Sequence, residues 1–147
     1  MNIVFDLDNT IADDFGATLR PGMLNLLKRL KSENYTLILW THSKKWKATT
    51  VIRDHNLRKY FSKFVFREDY DPEGQGLGKD IRKVDGDLLI DDDPKQIKYI
   101  KRIGRKGFLV TSYHKGYKID RSELDKLYSY IKKQSGLWGK LSSAFRS

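Results

Sequence analysis

The chain contains no cysteine, so a disulfide scaffold, a zinc ribbon and a thiol nucleophile are all excluded. Proline occurs 3 times and histidine 3 times in 147 residues. That leaves little room for a proline-rich linker or for His-based metal spacing. No apolar run approaches the ~18 residues of a membrane span. The opening MNIVFDLD has no basic leader region ahead of its apolar alternation, so a secretory signal is not expected and the cytoplasm is the expected compartment. A chain of this length can bury a real core without staples.

What is abundant is charge, and it is unevenly placed. The formal net charge is +10. Residues 1–94 are close to neutral, so the whole excess comes from residues 95–147. That asymmetry suits an anionic partner such as nucleic acid, or a solvated basic face around an anionic site. No internal repeat or low-complexity tract is present.

Strand and helix patterns alternate along the chain. Asn2–Leu7, Tyr35–Trp40, Lys63–Phe66, Asp87–Ile90 and Gly107–Val110 read as strands. Gly22–Ser32, with Pro21 just inside its start, Lys45–His55, Pro94–Arg102 and Ser122–Lys133 read as helices, the last ended by Gly136. Glu68–Gly78 reads as a loop, with Gly74, Gly76 and Gly78 lending it flexibility ahead of Lys79. The tail repeats a weak amphipathic pattern through Trp138, Leu141 and Phe145. Alternation of this kind predicts an α/β fold with a parallel sheet covered on both faces. Residues 1–111 form its core, and residues 112–147 a basic helix and tail packed on it or extending from it.

Polar residues collect just past the strand ends: Asp6, Asp8 and Thr10, then Thr41, then Asp91, Asp92 and Asp93. Carboxyl ends of strands are where an open α/β sheet binds its ligand. Two carboxylates spaced like Asp6 and Asp8 can divide phosphoryl chemistry, one attacking phosphorus and the other moving the proton. Carboxylates and phosphate repel, so a hard cation such as Mg²⁺ is needed, with the Asp91–Asp93 run as further oxygen ligands. Lys79 supplies a point charge and Thr41 a hydroxyl for the phosphate. Asp93 is better placed to cap the helix that Pro94 begins.

FDLDNTI, LILWTHS, GLGKD and LLIDDDP, in this order, resemble the four motifs of the haloacid dehalogenase superfamily of phosphatases. LRPGMLNLLKRLKSENYTLILWTHSKKWKATTVI with FREDYD and GKDIRKV is similar to the small C-terminal-domain (FCP/SCP, NLI-interacting-factor-like) phosphatases, over roughly residues 2–110. The resemblance implies a doubly wound three-layer sandwich with a five-stranded parallel sheet in the order 3-2-1-4-5. It implies Asp6 as nucleophile, Asp8 as acid and base, and Thr41 and Lys79 as catalytic and phosphoryl-binding groups. Thr10, His42 and Arg20 join the substrate-binding set, Arg20 serving equally to fix the turn into the first helix. Mg²⁺ would be held by Asp6, the Asp8 carbonyl, Asp91 and Asp92, with Asp92 coordinating directly and Asp91 bridging to Lys79.

Only Ile11–Leu19 separates Thr10 from Arg20, so any cap is minimal and the site open. The expected activity is Mg²⁺-dependent phosphomonoester hydrolysis through an aspartyl-phosphate, on a macromolecule such as a phosphoprotein. A polynucleotide 3′- or 5′-phosphate is the alternative substrate, and a non-catalytic phosphate- or nucleic-acid-binding module the alternative class. The SYHKGYKID segment interleaves Tyr113 and Tyr117 with lysines, a pattern that can stack bases, although a solvated loop fits it as well.

Overall fold

The computed structural model describes residues 1–146, with side chains through residue 136. Strands β1 (Asn2–Phe5), β2 (Thr36–Trp40), β3 (Lys63–Val65), β4 (Leu88–Asp91) and β5 (Lys106–Leu109) form one sheet. Its order is β3-β2-β1-β4-β5 and every pairing is parallel. Helices α1 (Met23–Ser32), α2 (Lys45–Asp54), α3 (Arg67–Tyr70), α4 (Pro94–Arg102) and α5 (Ser122–Arg146) connect and cover it.

The strands are apolar on both sides because both faces are covered. Ile3, Phe5, Leu37, Leu39, Leu88 and Ile90 pack toward Met23, Leu27 and Leu30 of α1, Val51 and Ile52 of α2, and Leu124, Leu127 and Ile131 of α5. The alternate residues Val4, Ile38, Trp40 and Leu89 meet Ile97 and Ile100 of α4 and the short turn Ile81–Val84. Each fully buried Leu or Ile contributes roughly 1.5–3 kcal/mol. The first face depends on α5, so the C-terminal helix is part of the core layer.

Several boundaries differ from the sequence reading. Pro21 precedes helix α1, which begins after Gly22, held at φ 84° as its N-cap. Gly22 supplies the left-handed geometry of that turn without a Cβ penalty. The Glu68–Gly78 loop starts inside one turn of helix, α3. The remainder folds around the buried Asp71, whose carboxylate accepts from the amides of Gln75, Gly76 and Leu77 at 2.8, 3.0 and 3.2 Å. Gly136 does not end α5, which continues to Arg146. A glycine inside a helix costs only ~1 kcal/mol, less than the packed first turns supply. The side chains of Trp138, Leu141 and Phe145 lie outside the described residues. Among the described residues no helix is long and apolar enough to cross a membrane.

Candidate active site

Strand register assembles the site. Phe5 pairs with Ile90 across β1 and β4, so Asp6 and Asp91 follow side by side, and the Asp6 amide donates to the Ile90 carbonyl at 2.9 Å. Asp6 and Asp91 are both buried, and between them lies the buried Lys79 ammonium, 2.8 Å from Asp6 Oδ1 and 2.8 Å from Asp91 Oδ2. Lys79 arrives from the loop after Gly78 and is pinned by its own amide, which donates to Gln96 Oε1 of α4 at 2.9 Å. Asp91 Oδ1 accepts from the Asp93 amide at 3.0 Å, and Asp93 caps α4 by accepting from the Lys95 amide.

Burial pushes the Asp6 carboxyl well above its ordinary range, and the neighbouring Asp91 and Asp92 charges add to that against the pull of Lys79. Asp91 is raised by burial too. Burial works against the Lys79 ammonium, but Asp6 and Asp91 outweigh it and hold its pKa above the usual lysine value. One ammonium therefore faces three carboxylates, since oxygens of Asp6, Asp91 and Asp92 lie within 4.8 Å of one another. Thr10 Oγ1 sits 2.8 Å from Asp6 Oδ2 and 3.2 Å from Asp92 Oδ1, yet it has a single proton to give. An all-oxygen, over-negative, half-enclosed cluster fits a hard divalent cation.

Asp8 lies across the cleft from this cluster. Its Oδ2 accepts from Thr41 Oγ1 at 3.1 Å and from Ser43 Oγ, while the Ser43 amide donates to Thr41 Oγ1 at 3.0 Å. That last bond aims the Thr41 proton at Asp8. Lys47 Nζ of α2 stands 3.9 Å from Asp8 Oδ1.

The cleft has a volume of about 650 Å³ and is lined by Asp6, Asp8, His42, Lys79, Asp91 and Asp92, with Ser112, Leu77 and Lys95 among its walls. Of the expected phosphate-binding groups, Lys79 and His42 reach it, the latter with Nδ1 2.9 Å from the Tyr70 hydroxyl. Thr10 and Thr41 are buried behind the carboxylates they bond. Arg20 is placed elsewhere than a substrate site. It is buried beneath the first loop, donating to the carbonyls of Thr10 at 2.7 Å, Asn9 at 3.0 Å and Thr111, and to Glu123 Oε1 of α5 at 3.3 Å. These bonds tie the first loop to Thr111 and to α5, a strut different from the turn into α1 that the sequence reading offered.

Three groups were not singled out in the sequence. Ser112 Oγ donates to Asp92 Oδ2 at 2.5 Å, and the strand-end rule that found the aspartates would have found it after GFLV. Asp13 is fully buried and accepts from the amides of Phe15, Ala17 and Thr18 and from Thr18 Oγ1 at 2.6 Å, which shapes the short 13–18 loop. Lys47 carries no sequence signal, because only the packing of α2 brings it to Asp8.

The NLI interacting factor-like phosphatase family model matches residues 1–141, so the match extends through most of α5 and beyond the roughly 2–110 of the motif resemblance. No curated protein sequence matches the chain. Among solved structures, the chain is similar to D,D-heptose 1,7-bisphosphate phosphatase from B. bronchiseptica, solved with magnesium and phosphate. That likeness has a TM-score of 0.63 at 14% identity and covers 90% of this chain and 98% of that one. It is also similar to a β-phosphoglucomutase from Thermotoga maritima, with a TM-score of 0.55 at 20% identity over 76% of this chain and 55% of that one. A chain of the Pnkp1/Rnl/Hen1 RNA repair complex is matched with a TM-score of 0.56 at 17% identity, over 77% of this chain and 42% of that one. These likenesses show the fold. With the family match spanning nearly the whole sequence, the chain belongs to the NLI interacting factor-like phosphatases, enzymes of the haloacid dehalogenase type.

Proposed function

We propose that the protein is a Mg²⁺-dependent phosphomonoester hydrolase that works through an aspartyl-phosphate on Asp6. The observation that carries this reading is the pairing of two carboxylates in opposite environments on one cleft. Asp6 is buried against Lys79 and other acids, whereas Asp8 sits at the cleft edge among hydroxyl donors. Asp6 attacks phosphorus with the Oδ that Lys79 leaves free, and the ester oxygen departs toward Asp8, which gives it a proton. Asp8, now ionised, takes a proton from the water that cleaves the acyl phosphate and returns Asp6. Thr41 and Ser43 orient Asp8 for both transfers, and Thr41 becomes available to a phosphoryl oxygen when Asp8 turns into the cleft.

Asp6, Asp91 and Asp92 are the side chains that would hold Mg²⁺, joined by the Asp8 carbonyl. The ion would supply charge neutralisation that lets a phosphate dianion approach the carboxylates. Lys79 favours the ionised form of Asp6 against its burial and orients it, with Asp91 anchoring the other side of the ammonium. The similar heptose bisphosphate phosphatase was solved with magnesium and phosphate, which supports the choice of ion. Only Ile11–Leu19 stands where a cap would be inserted, and that short connection favours a substrate presented on a macromolecule.

The test is hydrolysis of p-nitrophenyl phosphate with and without Mg²⁺, in the native protein and in Asp6→Asn. Turnover that requires both the ion and Asp6 is expected. Metal-independent turnover, or turnover that survives in Asp6→Asn, would reject the reading.

A further inference from the structure

The cleft is flanked on its Asp8 side by a surface the hydrolase reading does not use. Lys47 Nζ, beside Asp8, also donates to the Asp14 carbonyl at 3.1 Å. Asp14 Oδ1 in turn meets His114 Nδ1 at 3.3 Å, and the His114 ring lies against that of Tyr117 at 5.1 Å between centroids. The 13–18 loop, the start of α2 and the segment 112–118 are therefore one continuous rim leading to Asp8. On it three aromatic side chains stand in water: Phe15 is 83% exposed, Trp46 71% and Tyr117 71%. They are interleaved with the exposed Lys44, Lys45, Lys115 and Lys118, and Lys95 stands on the cleft wall. Lys47 and His114 both converge on Asp14, and Glu68 accepts from the Lys45 amide at the start of α2, so two acidic residues stand among the cations of the rim.

Exposed aromatic planes spaced among lysines are the means by which proteins hold single strands, the planes stacking on bases and the cations following phosphates. A phosphopeptide would share the attraction to the lysines but gives planar aromatic faces nothing to stack on at each step. We propose that this rim binds the single-stranded end of a polynucleotide and delivers its terminal phosphate to Asp6. This deepens the hydrolase reading by naming the substrate class, and it rests on that reading for the chemical step. Asp6 forms the bond to phosphorus, the terminal sugar oxygen leaves with the proton from Asp8, and water then releases inorganic phosphate. The strand keeps a free hydroxyl.

The experiment has a binding arm and a turnover arm. Binding of a labelled, unphosphorylated oligothymidylate of about ten nucleotides is followed by fluorescence anisotropy from about 50 to about 200 mM salt. The rim predicts a log–log salt slope of about −0.7 for each phosphate engaged. It also predicts a loss of affinity of about tenfold or more in the Phe15→Ser/Trp46→Ser double variant. Both side chains are exposed, so the variant should fold, and circular dichroism checks that it does. In the turnover arm, the same strand with a 3′- or a 5′-phosphate is compared with the matching thymidine monophosphate, a phosphoserine peptide and p-nitrophenyl phosphate. The expected result is a kcat/KM for one phosphorylated strand at least about tenfold above its mononucleotide, with that ratio collapsing in the double variant.

A strand no better than the mononucleotide, or a phosphopeptide that outruns it, while the aryl phosphate is hydrolysed, would overturn the rim proposal and leave the hydrolase reading intact. Rim-dependent strand binding with no aryl phosphate turnover would sink the hydrolase reading instead and leave the strand-binding surface standing.

Discussion

At the scale of single residues, the site separates groups that react from groups that hold them. Asp6→Asn keeps the shape and one acceptor, so Lys79 retains Asp91 and the fold should survive while turnover disappears. Circular dichroism alongside the aryl phosphate assay checks both, and residual turnover would remove Asp6 from its role. Asp13 makes a different claim. Burial raises the pKa of its carboxyl, but hydrogen bonds from Thr18, Ala17 and Phe15 outweigh this and leave the pKa below the ordinary value. A carboxyl whose folded pKa is depressed contributes stability above its unfolded pKa, near 3.9, and loses it as pH falls through the folded value. Asp13→Ala should therefore cost about 2 kcal/mol at neutral pH. The gap to the native protein should narrow below about pH 4 in denaturant titrations. A gap that stays constant from pH 7 to strong acid would show that its charge is irrelevant to the loop. Asp13 was not legible in the sequence, because a loop aspartate that organises three amides looks the same as a solvated one until the chain closes around it.

At the scale of elements, the alternation of strands and helices was legible because burial on both faces gives each strand its continuous apolar run. The carboxyl-end cluster followed from the same pattern: Asp6, Thr41 and Asp91 come together because parallel strands end at one edge of a sheet. Arg20 shows the limit. In sequence an arginine near phosphate chemistry reads equally as ligand or strut, and only the carbonyls of Asn9, Thr10 and Thr111 around it decide for strut. The 13–18 loop and α2 also meet in a way no local pattern announces. Gly16 has φ 69°, and a Cβ there would overlap Val51 Cγ2 of α2. Gly16→Ala should destabilise the protein by about 2 kcal/mol, from overpacking and a strained backbone together. An unchanged melting temperature would mean that the loop does not seat on α2. For α5 the expectation is sharper still. Leu127 is fully buried in the α1–α5 layer, and Leu127→Ala should cost about 2–5 kcal/mol. A loss under about 0.5 kcal/mol in the same titration would make α5 an appendage to the sheet rather than part of its cover.

At the scale of the whole molecule, charge and core are distributed for different purposes. The core is shared by all five strands and by α1, α2, α4 and α5, while the excess positive charge is carried by residues 95–147, the last third of the chain. The three-carboxylate cluster is a local exception to that positive field. A cation that binds the folded protein alone stabilises it by mass action, about 2.7 kcal/mol at a hundredfold excess over its Kd. Mg²⁺ should accordingly raise the melting temperature, and Asp92→Asn should remove most of the rise. An equal rise in that variant would place the ion elsewhere.

The proposed chemistry requires a phosphoryl group to pass through Asp6, and Asp8→Asn offers a way to see it. An aryl phosphate has a good leaving group that departs without a proton, so the first step should survive in this variant. The second step needs the Asp8 base to activate water and should stall. Acid-quenching Asp8→Asn with p-nitrophenyl phosphate and Mg²⁺, followed by intact-mass and peptide analysis, should then show one added phosphoryl group on the peptide that carries Asp6. A burst of nitrophenol with no covalent adduct, or an adduct on any other residue, would contradict it.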